Sequence, residues 1–158
     1  MTIKDIKSAI LKKGWAGKTL SRQETAHRLN PLIEAHVKLK HSYSSLVAHL
    51  ASEEPLQELE VILKTQRLDI GKLKELVFSC GETAFNGTSL EPESFSLTGS
   101  SPIAELRGLE NEVRELLDAE RPIEHQLRSE AVLTRLRTNS DARLSFLRKY
   151  ARLESAFV

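Results

Sequence analysis

The stretch IEAHVKLKH, residues 33–41, places one carboxylate and two imidazoles close together in the chain, at Glu34, His36 and His41. Carboxylate oxygens and imidazole nitrogens are the protein ligands of zinc and of the di-metal centres found inside helical bundles. Such a site requires the ligands to point at one ion. The first question is therefore whether the local structure lets these three side chains converge.

The apolar spacing around the stretch predicts a long helix packed against other helices. Apolar residues and a few polar ones recur every seven residues in two interleaved series, a pattern typical of a buried helical stripe. The series are Leu29, His36, Tyr43 and Leu50, and Leu32, Leu39 and Leu46. His36 therefore lies on the core stripe, whereas Glu34 lies ~200° further round the helix at 3.6 residues per turn. These two side chains cannot bind the same ion.

The opposite face of this helix carries His27, Glu34 and His41, each seven residues from the next. Seven helical residues span ~10.5 Å, which is further than one metal ion can bridge. We therefore interpret this stripe as a solvated outer face.

His36 is expected to be a hydrogen-bonded core residue, since a lone histidine on an apolar stripe is seldom a ligand. If the first two helices pair as a hairpin, Tyr43 comes near Gln66, the polar residue in the apolar stripe of the second helix. We predict that Tyr43 and Gln66, joined by His36, form a buried polar layer that fixes helix register. A small polar ligand pocket between the helices, or a metal site built around His36, is the alternative.

The composition is that of a helical globular domain. Of 158 residues, 40% are apolar, 28% are charged and only 5% are aromatic, and Leu, Glu, Arg, Lys and Ala dominate. These residues favour helices over strands. A net charge of +1 gives no overall electrostatic attraction to nucleic acid. A single cysteine cannot form an internal disulfide. With no signal peptide and no bilayer-spanning run evident, a cytoplasmic setting is expected.

Four helices are predicted, after a short N-terminal segment at 1–20 and within a single bundle at 21–158. Ser21 and Glu24 form a capping box that starts the first helix, Pro55 starts the second, and Pro122 is expected to start the fourth. Pro31 leaves open whether the first helix is kinked or divided, and residues 138–140 leave a break in the fourth helix open. The predicted bounds are 21–52, 55–80, 102–120 and 122–155.

The crossover at 81–101 is too long for a simple hairpin connection. Extended, 21 residues reach ~70 Å, whereas the second helix is ~39 Å long, so this segment can return along the whole bundle. We expect four apolar side chains to attach it to the helices. They are Phe85, Leu90, Phe95 and Leu97.

Two helical hairpins joined by a long crossover in ~160 residues resemble the small, largely uncharacterised members of the ferritin-like superfamily. The resemblance implies an all-α four-helix bundle of two antiparallel hairpins. It also implies a di-metal ligand set, which this sequence lacks. The one Glu-x-x-His motif is Glu24 to His27, in which Glu24 already belongs to the capping box. We therefore predict no catalytic residue, no metal ligand and no cofactor, with His36 as the one weak metal candidate.

Residues 1–20 form a basic amphipathic segment. Ile3, Ile6 and Ile10 follow helical spacing, and lysines flank them. We expect this segment to pack against the bundle or another subunit, and contact with an anionic membrane surface is the alternative. The residues proposed for that contact are Lys4, Lys7, Lys12, Lys13 and Trp15.

Two further features are interpreted as structural. Cys80 has no neighbouring histidine or lysine to activate its thiol. The acidic residues of the third helix are spread round it, and Arg114 follows Glu110 at ion-pair spacing, so they are interpreted as a solvated face. They are Glu110, Glu112, Glu115 and Asp118.

The sequence as a whole favours a non-enzymatic bundle acting through protein–protein contacts, either with a protein partner or by self-association into an oligomer. No nucleic-acid partner is expected. The alternatives are a metal-binding oxidoreductase with an atypical ligand set and a peripheral membrane adaptor that uses residues 1–20.

Overall fold

The computed structural model describes residues 20–151, which form four α-helices and no strand. The prediction of an all-α bundle is confirmed. The helices are α1 (Arg22–Ser45), α2 (Glu53–Ser79), α3 (Pro102–Asp118) and α4 (Leu127–Ala151). Two 3-10 turns, Leu46–His49 and Pro92–Phe95, lie in the connections after α1 and α2.

Helix α1 begins at the predicted capping box. The Ser21 hydroxyl accepts a hydrogen bond from the Glu24 amide at 3.2 Å, and the Glu24 carboxylate accepts one from the Ser21 amide at 3.2 Å. α1 is one α-helix across Pro31. It ends at Ser45 instead of residue 52, because the chain tightens into a 3-10 turn there. The seven-residue repeat continues past Ser45 because it reports which side chains are buried and not where the helix ends. Leu46, the first residue after α1, is still in the core.

The predicted start of the fourth helix at Pro122 is wrong, since α4 begins at Leu127. Residues between α3 and α4 form successive turns, in which the Ile123 amide donates to the Glu120 carbonyl and the His125 amide to the Ile123 carbonyl. The Glu124 carbonyl accepts from the Leu20 amide at 3.3 Å. These backbone groups therefore hold the turn after α3 against the residue before α1 and do not form the first turn of α4.

No break occurs in α4 at residues 138–140. The three side chains that would compete with the helix backbone have partners that leave the helix intact. Thr138 donates to the Thr134 carbonyl within the helix, Asn139 donates to Asp69 of α2, and Ser140 donates to Glu110 of α3.

Cross-helix contacts fix the directions in which the helices run. Tyr43 near the end of α1 bonds Glu110, whereas Arg28 near its start bonds Glu120, so α1 and α3 are antiparallel. Lys149 near the end of α4 pairs with Glu54 at the start of α2. Asn139 near the middle of α4 bonds Asp69, further along α2, so these helices are also antiparallel.

The crossover between α2 and α3 returns alongside α1. Early in its path, Asn30 donates to the Thr83 carbonyl at 3.0 Å and accepts from the Phe85 amide at 2.8 Å. Later, Ser42 donates to the Phe95 carbonyl at 2.9 Å. Gly87 lies against Val37 with a φ of +78°, and a Cβ there would come within 3.1 Å of a Val37 methyl group. Leu97 is buried in the core, and Phe85 and Leu90 pack partly buried against it.

The apolar core lies between the four helices. Each helix contributes fully buried leucines, and burying one such side chain stabilises the fold by ~1.5–3 kcal/mol. They include Leu29 of α1, Leu59 and Leu73 of α2, Leu106 and Leu117 of α3, and Leu133 and Leu147 of α4.

Candidate central polar cluster and surface grooves

A buried ion pair lies at the centre of the bundle. The Arg143 guanidinium donates from Nε to Glu110 Oε1 at 2.5 Å and from Nη2 to Glu110 Oε2 at 3.1 Å. Tyr43 Oη donates to Glu110 Oε1 at 2.6 Å, and Ser140 Oγ donates to Glu110 Oε2 at 3.0 Å. Glu110 is 0% exposed. Side chains from α1 and α4 thus satisfy a carboxylate that α3 carries into the core.

Asp69 of α2 is the second buried carboxylate of this region. Asn139 Nδ2 lies 2.9 and 3.0 Å from its two oxygens, and Arg143 Nη1 lies 3.9 Å from Oδ2. Burial raises the pKa of the Asp69 carboxyl, although Asn139 and Arg143 oppose that shift. We call Tyr43, Asp69, Glu110, Ser140 and Arg143, together with Asn139, the central polar cluster.

Electrostatics hold two members of this cluster, Arg143 and Tyr43, each in one protonation state. Burial disfavours the Arg143 cation, but Glu110 outweighs burial and raises the pKa of Arg143 above its ordinary value. Burial, followed by the nearby Glu110, raises the pKa of Tyr43 well above its ordinary value. Tyr43 therefore stays a hydrogen-bond donor and Arg143 stays a cation.

The structure buries all three residues of the predicted polar layer but does not join them as expected. Tyr43 donates to Glu110 and not to Gln66. His36 donates from Nδ1 to the Leu32 carbonyl at 2.7 Å, one turn back in α1, which leaves Nε2 as the acceptor of a neutral ring. Within residues 20–151, His36 Nε2 and both amide atoms of Gln66 have no hydrogen-bond partner. Burial, reinforced by the nearby Arg143 cation, lowers the pKa of His36 to about 4.

The interpretation of Glu110 as part of a solvated face is wrong. Glu110 lies at the centre of the apolar stripe of α3, and Arg143 and Ser140 lie on the corresponding stripe of α4. The sequence contained this signal, because the stripe of α3 is spaced by three and four residues with Glu110 in the middle. It reads Ile103, Leu106, Glu110, Val113 and Leu117.

A second charged group ties the start of α1 to the turn after α3. Arg28 donates from Nε and Nη2 to the two oxygens of Glu120, each at 2.8 Å, and His125 Nε2 lies 3.1 Å from Glu120 Oε1. Burial would raise the pKa of Glu120, but hydrogen bonds from His125 and Arg28 outweigh it and lower this pKa to about 2. We call Arg28, Glu120 and His125 the end cluster.

Neither cluster is arranged as a metal centre. Across residues 20–151 there is no group of three or more histidine, cysteine, aspartate or glutamate side chains placed to hold a metal ion. In the central polar cluster, both oxygens of Glu110 accept hydrogen bonds from protein side chains. The arrangement can order a core and fix which helix faces meet.

Surface grooves follow the seams between the hairpins, and two of them have largely apolar linings. One, of about 240 Å³, lies between α1 and α3, and its apolar lining includes Leu39, Leu109, Val113 and Leu116, with Phe95 of the crossover at its edge. The other, of about 380 Å³, lies between α2 and α4 and is lined by Val61, Ile62, Ala142 and Phe146, with Glu58 and Lys149 beside them.

The proposed N-terminal contact residues Lys4, Lys7, Lys12, Lys13 and Trp15 lie outside the described residues. Within residues 20–151, no helix combines the length and apolar character needed to cross a membrane. No protein-family model, no curated protein and no solved structure matches the chain.

Proposed function

We propose that the protein is a non-enzymatic helical-bundle module that acts through protein–protein contacts, and that it self-associates through the face formed by α2 and α4. The observation that carries this proposal is an exposed apolar stripe on α2. Val61 is 65% exposed and Leu68 is 54% exposed. They are seven residues apart, so they project from the same side of the helix.

The surroundings of this stripe favour contact with another protein surface. Scattered exposed apolar residues are normal, whereas contiguous apolar patches mark interaction sites. Val61 itself lines the α2/α4 groove with Ile62 and Phe146. A projecting side chain beside a groove provides both the protruding and the receiving part of a contact.

The charges on this face suit contact between two copies of the chain. Lys149 pairs with Glu54 and Glu58 at one end, and Arg128 and Arg135 line a further groove of about 430 Å³ toward the other end. An interface between identical subunits related by a two-fold axis must be self-complementary, so a charged face can meet its own copy when it carries both signs of charge.

The interior is consistent with a structural module. The central polar cluster engages Glu110 with donors from Tyr43, Ser140 and Arg143, an arrangement that orders a core. The long connection between the hairpins supports the further proposal of kinship with ferritin-like bundles. A single cysteine supports the proposal of a cytoplasmic setting.

Sedimentation velocity over a range of protein concentrations tests the self-association. We expect the wild-type chain to associate and Val61→Glu to shift it toward monomer. Val47→Glu is the matched control, because Val47 is also exposed but lies in the 3-10 turn at the end of α1. Circular dichroism verifies that both variants remain helical. A wild-type chain that is monomeric throughout, or an equal shift in both variants, would contradict the proposal.

A further inference from the structure

The groove between α1 and α3 also exposes an apolar side chain. Leu116 is 45% exposed on one wall, with Leu109 and Val113 beside it. Leu39 and Ala35 form the opposite wall on α1. The crossover reaches one edge through Phe95. Leu39 and Val113 are buried, so Leu116 is the exposed apolar side chain of this lining. An apolar groove between antiparallel helices is the type of surface that accepts the apolar side of a third helix.

We propose that this groove is the docking site of the chain's own N-terminal segment, residues 1–19, through Ile3, Ile6 and Ile10. The first argument is the place where that segment joins the bundle. Leu20 is buried, its amide donates to the Glu124 carbonyl, and its carbonyl accepts from Gln126 at 3.2 Å. The segment is therefore tethered at the end of the bundle where α1 starts and α3 stops, which is the end from which the α1/α3 seam begins.

The lengths of the segment and the groove agree. From Arg22 to Ala35 the distance along α1 is ~20 Å, and the nine residues 11–19 reach ~30 Å when extended. Ile3 to Ile10 spans ~10.5 Å if helical, which equals the distance along α1 from Ala35 to Ser42 at the other end of the groove. The three isoleucines can thus lie against the apolar lining without displacing α1 or α3.

Charge complementarity is the second argument. Residues 1–19 contain five lysines and one aspartate. The groove lining contains one carboxylate, the exposed Glu112 of α3, and one cation, Lys38 of α1. Lys38 lies 3.6 Å from Glu34 and is paired with it, so Glu112 is the charge of the lining that a lysine beside the three isoleucines would meet. This docking concerns a different face from α2/α4 and does not depend on self-association there.

Thiol accessibility tests the docking in the full-length chain. In a Cys80→Ser background, the Leu116→Cys thiol reports on the groove through its rate of reaction with a soluble disulfide reagent. Adding Ile6→Asp and Ile10→Asp should speed this reaction by about tenfold or more, because the cover opens. The same two changes should leave the rate at Val61→Cys unchanged, since that position lies on the α2/α4 face. An unchanged rate at Leu116→Cys would overturn the proposal.

Mild oxidation provides an independent measurement. In the same background, a chain with Ile10→Cys and Leu116→Cys should form a disulfide within one chain at low protein concentration. A chain with Ile10→Cys and Val61→Cys is the control and should form no disulfide within one chain. Disulfides that form only between chains, or equally at both positions, would overturn docking of the segment on its own bundle.

Discussion

Replacing Glu110 by glutamine should destabilise the protein more than the size of the change suggests. Glu110→Gln keeps the shape of the side chain and removes its charge. Arg143 is then left buried, with Asp69 at 3.9 Å as the nearest carboxylate that the structure shows. Two charge-assisted hydrogen bonds to Arg143 are weakened, each worth ~1.5–3 kcal/mol. Breaking a buried pair by removing one partner costs ~3–5 kcal/mol, and we expect the free energy of unfolding to fall by that amount.

The reciprocal change isolates the interaction. Arg143→Met removes the cation and leaves Glu110 with its hydrogen bonds from Tyr43 and Ser140. The double variant Glu110→Gln, Arg143→Met contains neither charge. It should be more stable than the sum of the single effects predicts, by about 3 kcal/mol.

Urea unfolding followed by circular dichroism at neutral pH measures these values, provided the dependence on urea is the same in all variants. Glu112→Gln is the control, because Glu112 lies two residues further along α3 and is exposed. Its effect should stay within ~0.5 kcal/mol. The reasoning would be refuted if Glu110→Gln stayed within ~1 kcal/mol of wild type, or if the two single effects simply added.

Three further predictions use the same unfolding measurement. His36 has a pKa of about 4 in the folded chain, against 6.5 ordinarily. The unfolded chain therefore binds a proton more readily between these values, and the free energy of unfolding should fall by ~1.4 kcal/mol for each pH unit as the pH drops from 6.5 toward 4. Above pH 6.5 the stabilisation is complete. His36→Gln should remove this dependence, and a wild-type chain whose stability is constant over that window would disprove it. Glu120 has a pKa of about 2 against 4.5, so its contribution is present above pH 4.5 and is lost as the pH falls from 4.5 to 2; Glu120→Gln should flatten the curve in this lower window alone. Tyr43→Phe removes one hydrogen bond to the Glu110 carboxylate and should cost ~1.5–3 kcal/mol, and no measurable loss would show that this bond does not stabilise the fold.

The sequence predicted elements whose signals are local. The capping box at Ser21 is a contact between residues three apart, and the apolar stripe of α1 is visible within that helix alone. The starts of α2 and α3 were also within two residues of the structure. The start of α4 was missed because the backbone of residues 120–125 bonds the distant Leu20 in addition to its own neighbours. No pattern within that segment reports a partner so far away in the chain.

The polar interior was harder to predict because its partners come from different hairpins. Tyr43 and Glu110 are 67 residues apart, whereas pairing of the two helices within the first hairpin points to Gln66 as the partner of Tyr43. The spacing of Glu110 and Arg114 suggested a surface pair, yet Arg114 bonds Asp118 and Asp141 in the structure. The spacing of Glu110 and Arg114 thus predicts an exposed Glu110, whereas the apolar stripe of α3 predicts a buried one. Only the contact with Arg143 of α4 distinguishes the two.

That competition suggests how such interiors can be inferred from sequence. A single charged residue on an otherwise apolar stripe must find an opposite charge, because an unpaired buried charge costs several kcal/mol. α3 has Glu110 in the middle of its stripe, and α4 has two buried arginines, of which Arg143 pairs with Glu110 and Arg137 donates to the Leu117 carbonyl. Sliding α3 past α4 by one turn moves the helices ~5.4 Å relative to each other and separates the two charges. The ion pair therefore favours one register of α3 against α4, whereas apolar contacts alone differ little between neighbouring registers. Tyr43 of α1 bonds the same carboxylate and so constrains the position of the first hairpin as well.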